Sequence, residues 1–242
     1  MTNILLEVCV EDAAGLMAAV EGGADRIELC SALSVGGLTP SPGLMALAGE
    51  VDIPVYAMIR PRPGDFVFNA GDVSVMRSDI EAARAAGLAG VVLGASRPDG
   101  SLDVATLRLL GEHAAGFGCT LHRAFDLVPD FAEAIDIAVA LGFERILTSG
   151  GAKRALDGVD ALASIVTAAN GRISIMPGSG VTLEAIGGLL SRLSVREVHS
   201  SCSIDKPAHD HRLVSLGFVA PSSKRTDADV VRKLKARLTA AH

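Results

Sequence analysis

The sequence predicts an α/β fold: a closed (β/α)8, or TIM, barrel formed as a single domain over residues 1–242. Three observations predict it. Eight short apolar runs alternate with longer segments of helical period. Dividing the 242 residues by eight leaves about 30 per unit, the size of one strand–helix repeat. No GxGxxG follows the first run, which disfavours an open dinucleotide-binding sheet. Strand, helix, strand repeated in this way means parallel strands with right-handed crossovers.

The strands are expected at 4–10, 26–30, 55–60, 90–95, 119–123, 145–148, 172–176 and 196–200. Each is short, apolar at alternate positions and bounded by glycine or polar residues. Helical period is read at 72–86, 102–115, 130–141, 155–169 and 182–192, with a last helix at 227–240. Gly23, Gly87, Gly142 and Gly171 each stop a helix just before a strand, where a left-handed residue costs least. Asp130 and Thr182 are expected N-caps. The segment 203–226 is polar, contains proline and reads as a long functional loop or an oligomer contact.

Composition removes several function classes. With 49% hydrophobic residues the chain is not disordered, and four Cys are too few for a disulfide scaffold. Seven Phe, one Tyr and no Trp leave little for base stacking. The net charge is −6, and the most basic stretch, 224–237, alternates with acids, so no nucleic-acid partner is expected. No window of eighteen uncharged apolar residues occurs, so no membrane span is expected. Residues 1–10 lack a basic region and are interrupted by Glu7, unlike a signal sequence. A cytoplasmic protein with reduced thiols is the expectation.

Side chains alternate faces along a strand, and in a barrel one face meets the helices. Leu6, Val8 and Val10 take the helix side in the first strand, so Glu7 and Cys9 point to the axis. The same reasoning turns Arg26, Glu28 and Cys30 inward, then Tyr56, Met58 and Arg60, then Thr120 and His122, Ser174 and Met176, and finally Glu197, His199 and Ser201. A purely structural interior would carry layers of Val, Ile and Leu. Here it carries Glu7, Glu28, Arg60, His122 and His199, late in their strands, where barrel active sites lie. The plainer alternative is a buried salt-bridge network joining a Glu to Arg60.

Two segments, Leu6-Glu7-Val8-Cys9 and Ile27-Glu28-Leu29-Cys30, are near copies on adjacent strands. Two thiolates at strand spacing, Cys9 and Cys30, suit a soft ion such as copper(I). Buried cysteines also serve simply as small hydrophobes. Cys202 is a candidate third sulfur, and Cys119 lies at the far end of its strand. Three late loops are rich in Gly and Ser: Gly150-Gly151, Gly178-Ser179-Gly180, and Ser201 beside Cys202. They are candidates for binding phosphate or carboxylate through backbone N–H groups, or are ordinary tight turns. His122, with Asp126 four residues on, is a candidate acid or base with a carboxylate orienter. Loops 31–43 and 61–71 are long enough to form a lid, and Lys153 is the one lysine placed for a Schiff base.

Taken together, the motifs resemble the CutC family of copper homeostasis proteins. The resemblance rests on Leu6-Glu7-Val8-Cys9, Gly22-Gly23-Ala24-Asp25-Arg26-Ile27-Glu28-Leu29-Cys30 and Gly36-Gly37-Leu38-Thr39-Pro40-Ser41. It continues through Met58-Ile59-Arg60-Pro61-Arg62, Gly64-Asp65-Phe66 and His122-Arg123-Ala124-Phe125-Asp126. It ends with Leu147-Thr148-Ser149-Gly150, Met176-Pro177-Gly178-Ser179-Gly180 and Glu197-Val198-His199. The resemblance implies a cytoplasmic TIM barrel, a homodimer or homotetramer, binding copper(I) through thiols that map to Cys9 and Cys30. The residues themselves leave a second reading open. In it, an enzyme acts on a small anionic or phosphorylated substrate. Arg60 and the glycine loops hold the anion, and Glu7, Glu28, His122 and His199 transfer protons or hold a divalent metal.

Overall fold

The computed structural model describes residues 4–208 and 210–240. Each predicted strand is present: β1 (Leu5–Val10), β2 (Arg26–Leu29), β3 (Val55–Met58), β4 (Gly90–Leu93), β5 (Gly118–Leu121), β6 (Arg145–Thr148), β7 (Ser174–Pro177) and β8 (Glu197–Ser200). All pair in parallel, in the order β7-β6-β5-β4-β3-β2-β1-β8. The barrel is nearly closed. β7 and β8 lie side by side without a ladder among the described residues, and the Ser200 hydroxyl bridges the seam by donating to the Val181 carbonyl at 2.7 Å.

The alternation of faces holds. Leu6, Val8, Ile27, Leu29, Ala57, Ile59, Val91, Leu93, Leu121, Ile146 and Val198 pack the helix-side core, and Cys30, Tyr56, Met58 and Val92 form a second cluster on the axis. Burying each large aliphatic side chain is worth about 1.5–3 kcal/mol, so this layer holds the polar interior in place.

The helices are α1 (Ala13–Gly22), α2 (Pro42–Ala48), α3 (Ala70–Ala85), α4 (Val104–His113), α5 (Phe131–Ala140), α6 (Val159–Ala169), α7 (Ile186–Leu190), α8 (His211–Ser215) and α9 (Ala228–Ala240). Asp130 caps α5 as expected, accepting from the N–H groups of Ala132 and Glu133. Thr182 instead caps a turn ahead of the short α7, accepting from Ala185 N–H at 3.3 Å. The expected lid loop 31–43 contains the start of α2, because Ser41 caps it and Pro42 opens it with a preset φ.

The largest departure from expectation is 203–226. It is not an irregular loop but an antiparallel pair, β9 (Ser203–Pro207) with β10 (Ser222–Thr226), enclosing α8. Most of its side chains are exposed on both faces, so it lacks the apolar alternation that would mark a strand. No helix among the described residues is long and apolar enough to cross a membrane.

Candidate functional site

Strand register decides which polar side chains meet. Across β8, β1 and β2, His199 stands opposite Glu7, and Glu7 opposite Arg26. One step further along, Cys9 stands opposite Glu28. The two Glu-x-Cys copies are therefore offset by two residues, so that Cys9 neighbours Glu28 rather than Cys30.

The buried charges form a chain. Glu197 accepts from Arg26 Nη2 at 2.5 Å, Arg26 Nε donates to Glu7 Oε2, and Glu7 Oε1 lies 2.8 Å from His199 Nδ1. Burial alone would raise the Glu7 carboxyl, but the His199 hydrogen bond and the Arg26 guanidinium overcome it and hold its pKa near about 2. Burial likewise works against a charged His199. The neighbouring Cys9 and Glu28, together with the bond to Glu7, push the imidazole well above its ordinary value.

With Nδ1 held by Glu7, Nε2 of His199 is the ring atom turned to Glu28, 3.7 Å from its Oε2. Cys9, Glu28 and His199 thereby bring one sulfur, one oxygen and one nitrogen within 4.8 Å of one another. All three are buried. Glu28 Oε1 has no hydrogen-bond partner among the described residues, and burial pushes the carboxyl up. Cys30 is not one of these three donors but adjoins them. Its thiol donates to Glu28 Oε2 at 3.6 Å, and burial and then the Glu28 charge push it well above the usual thiol range.

Residues 4–204 match the CutC family model, and 240 residues align at 67% identity with a CutC protein of Sinorhizobium medicae, covering 99% of this chain and 98% of that one. The chain belongs to the CutC family. The CutC protein of Streptococcus agalactiae, to which copper homeostasis has been ascribed, superposes with a TM-score of 0.78 at 35% identity, over 82% of this chain and 98% of that one. A thiamine phosphate pyrophosphorylase from Pyrococcus furiosus matches at TM-score 0.60 and 15% identity, over 98% of this chain and 96% of that one, a likeness of fold alone.

The remaining candidate residues of this CutC chain divide into two groups. Asp126 does not touch His122. It accepts instead from Thr148 Oγ1, Ser149 N–H and Gly151 N–H at 2.6, 3.0 and 3.0 Å, and pairs with Arg123. Gly150 N–H donates to Thr148 Oγ1 at 2.9 Å. The loop after β6 thus spends its donors on groups of the protein itself. Gly178 donates to the Thr148 carbonyl, the Ser179 hydroxyl to the Lys153 carbonyl, and Ser201 Oγ lies 2.9 Å from Ser203 Oγ. Cys202 is buried in the helix-side core, with burial pushing its thiol to about 11.

Arg60 and His122 face the open side of the barrel. The Arg60 guanidinium donates to the carbonyls of Val35, Gly37 and Gly64, at 2.9, 3.1 and 2.7 Å, so it ties together the loops after β2 and β3. His122 Nδ1 accepts from Ala124 N–H at 3.1 Å, capping the 3-10 turn Arg123–Leu127. Burial and the Arg60 charge depress the imidazole to about 3, so the ring is neutral. These residues line a cavity of about 740 Å³ with Cys9, Glu28, His199 and, from β10, Arg225. The hairpin β9–β10 forms part of this wall, although the polar sequence of 203–226 carries no signal for it.

Proposed function

We propose that this CutC-family chain binds a metal ion at the barrel mouth and serves in copper homeostasis, the role ascribed to its Streptococcus agalactiae relative. One observation carries the reading: three unlike donors, from Cys9, Glu28 and His199, lie within 4.8 Å of one another. The imidazole is already oriented by Glu7, and a carboxylate behind a histidine is the usual outer support of a metal centre. Three protein donors beside a cavity suit an exchangeable ion with an open coordination position.

The donors fit two kinds of ion differently. Copper(I) is soft and favours thiolate and imidazole. It would take Cys9 and His199, with Cys30 as a second sulfur once its proton is lost. A divalent ion such as zinc takes thiolate, imidazole and carboxylate, which is the trio with Glu28. The ascribed family role favours the first; the protonated state of Cys30 favours the second.

Reduced protein titrated with copper(I) against a competing chelator, and separately with zinc, tests both. Cys9→Ser is expected to weaken both ions by roughly tenfold or more. Cys30→Ser is expected to weaken only copper(I), and Glu28→Gln chiefly zinc. Affinities unchanged by Cys9→Ser would remove the proposed centre.

A further inference from the structure

Two sets of donors border the 740 Å³ cavity without taking part in the metal trio. The inner set is His122 and Arg60, 3% and 5% exposed. Because His122 Nδ1 accepts a backbone N–H, the proton of the neutral ring sits on Nε2, and Nε2 has no partner among the described residues. Arg60 Nε is equally without one, and no carboxylate among the described residues lies within ion-pair distance of this guanidinium. Buried donors without acceptors are costly, and the anion acting most on Arg60, Asp65, does so without a direct ion pair. The Phe66 ring packs on both, 4.7 Å from the His122 ring centre and 4.8 Å from Arg60 Cζ.

The outer set lies after β7 and β8. Ser179 and Gly180 hold left-handed backbones at φ 72° and 71°, and their N–H groups meet no protein acceptor among the described residues. For Ser179 this conformation is strained, and such strain clusters at functional sites. Ser179 and Ser201 both line the cavity.

We propose that the cavity binds a small phosphorylated carboxylic acid. Its carboxylate accepts from His122 Nε2–H and Arg60 Nε–H. Its phosphate takes the free N–H group of Ser179 and the hydroxyl of Ser201. The inner set offers only donors and a positive charge, so it demands anionic oxygen. The outer set has the position at which barrels of this architecture hold phosphate. The volume suits a small metabolite. The inner donor atoms are buried and Phe66 packs on both residues, so loading requires that ring to move aside. The site stands apart from the metal reading, since neither donor set belongs to the trio.

Calorimetric titration of chelator-treated protein with 2-phosphoglycolate tests this, with inorganic phosphate and oxalate as single-group arms. The two-group ligand is expected to bind at least about tenfold more tightly than either arm. His122→Asn keeps an acceptor for Ala124 N–H while removing the ring donor, and is expected to weaken binding roughly tenfold to a hundredfold. In wild-type protein the His122 Nε2–H nuclear magnetic resonance signal is expected to shift on loading, a readout that does not depend on the variant folding. Undetectable binding at millimolar ligand, equal affinity for inorganic phosphate, or an unmoved His122 signal would each overturn the proposal. Chelation keeps its failure separate from that of the metal centre.

Discussion

Glu7 has no exposed surface, yet it carries the arrangement around it: one oxygen faces His199 and the other Arg26. Removing one partner of a buried ion pair leaves the other charge uncompensated, at a cost of about 3–5 kcal/mol. Glu7→Gln is therefore expected to destabilise the fold by about 3 kcal/mol in urea unfolding. The same change should weaken zinc roughly tenfold to a hundredfold, because the imidazole loses its anionic support. That Glu7, Cys9, Glu28, His122 and His199 face the axis was readable from the sequence, since a strand's period is two. Which of them meet was not readable. Register across β1 and β2 depends on barrel shear, and shear moved Cys9 beside Glu28. The expected pairing of His122 with Asp126, four residues on, does not form. His122 instead caps a 3-10 turn, and Asp126 points to the loop after β6.

Among the elements, α9 lies outside the 4–204 span of the family match, yet it is part of the core. Val231, Leu234 and Leu238 are fully buried, and α9 packs on α1. The close approach depends on Gly22, where an added Cβ would come within 2.4 Å of Val231 Cβ and 2.8 Å of the Ala228 carbonyl oxygen. Backbone cannot yield as a flexible side chain does. Gly22→Ala is expected to cost about 1–3 kcal/mol, the usual range for overpacking, measured as a lower midpoint in urea. Helix α9 was readable from its period. The strands β9 and β10 were not, because SIDKP and SSKRT pair through backbone groups while most of their side chains stay in water.

For the whole molecule, the eightfold alternation already specified a barrel, whereas the seam at β7 and β8 emerged only from the ladders. The buried interior also sets the acid limb of stability. His122 holds a folded pKa of about 3 against an ordinary 6.5, so between those values the unfolded chain binds a proton that the native state refuses. Stability contributed by the neutral ring is present above about pH 6.5 and is lost as pH falls toward 3, amounting to about 5 kcal/mol over the full window. Glu7, near about 2 against 4.5, adds a second loss with the same sign, between pH 4.5 and 2. Glu28 works oppositely: its raised carboxyl favours the native state at low pH and costs stability as pH rises above 4.5. The wild-type curve is the sum of these opposing terms, and the difference from His122→Asn isolates one of them. Unfolding free energies of the two proteins, measured from pH 7 to 3.5, are expected to converge as pH falls. The wild type should lose its advantage between 6.5 and 3.5. Parallel curves would mean that His122 has the same pKa in the folded and unfolded chain, so that burial does not depress it.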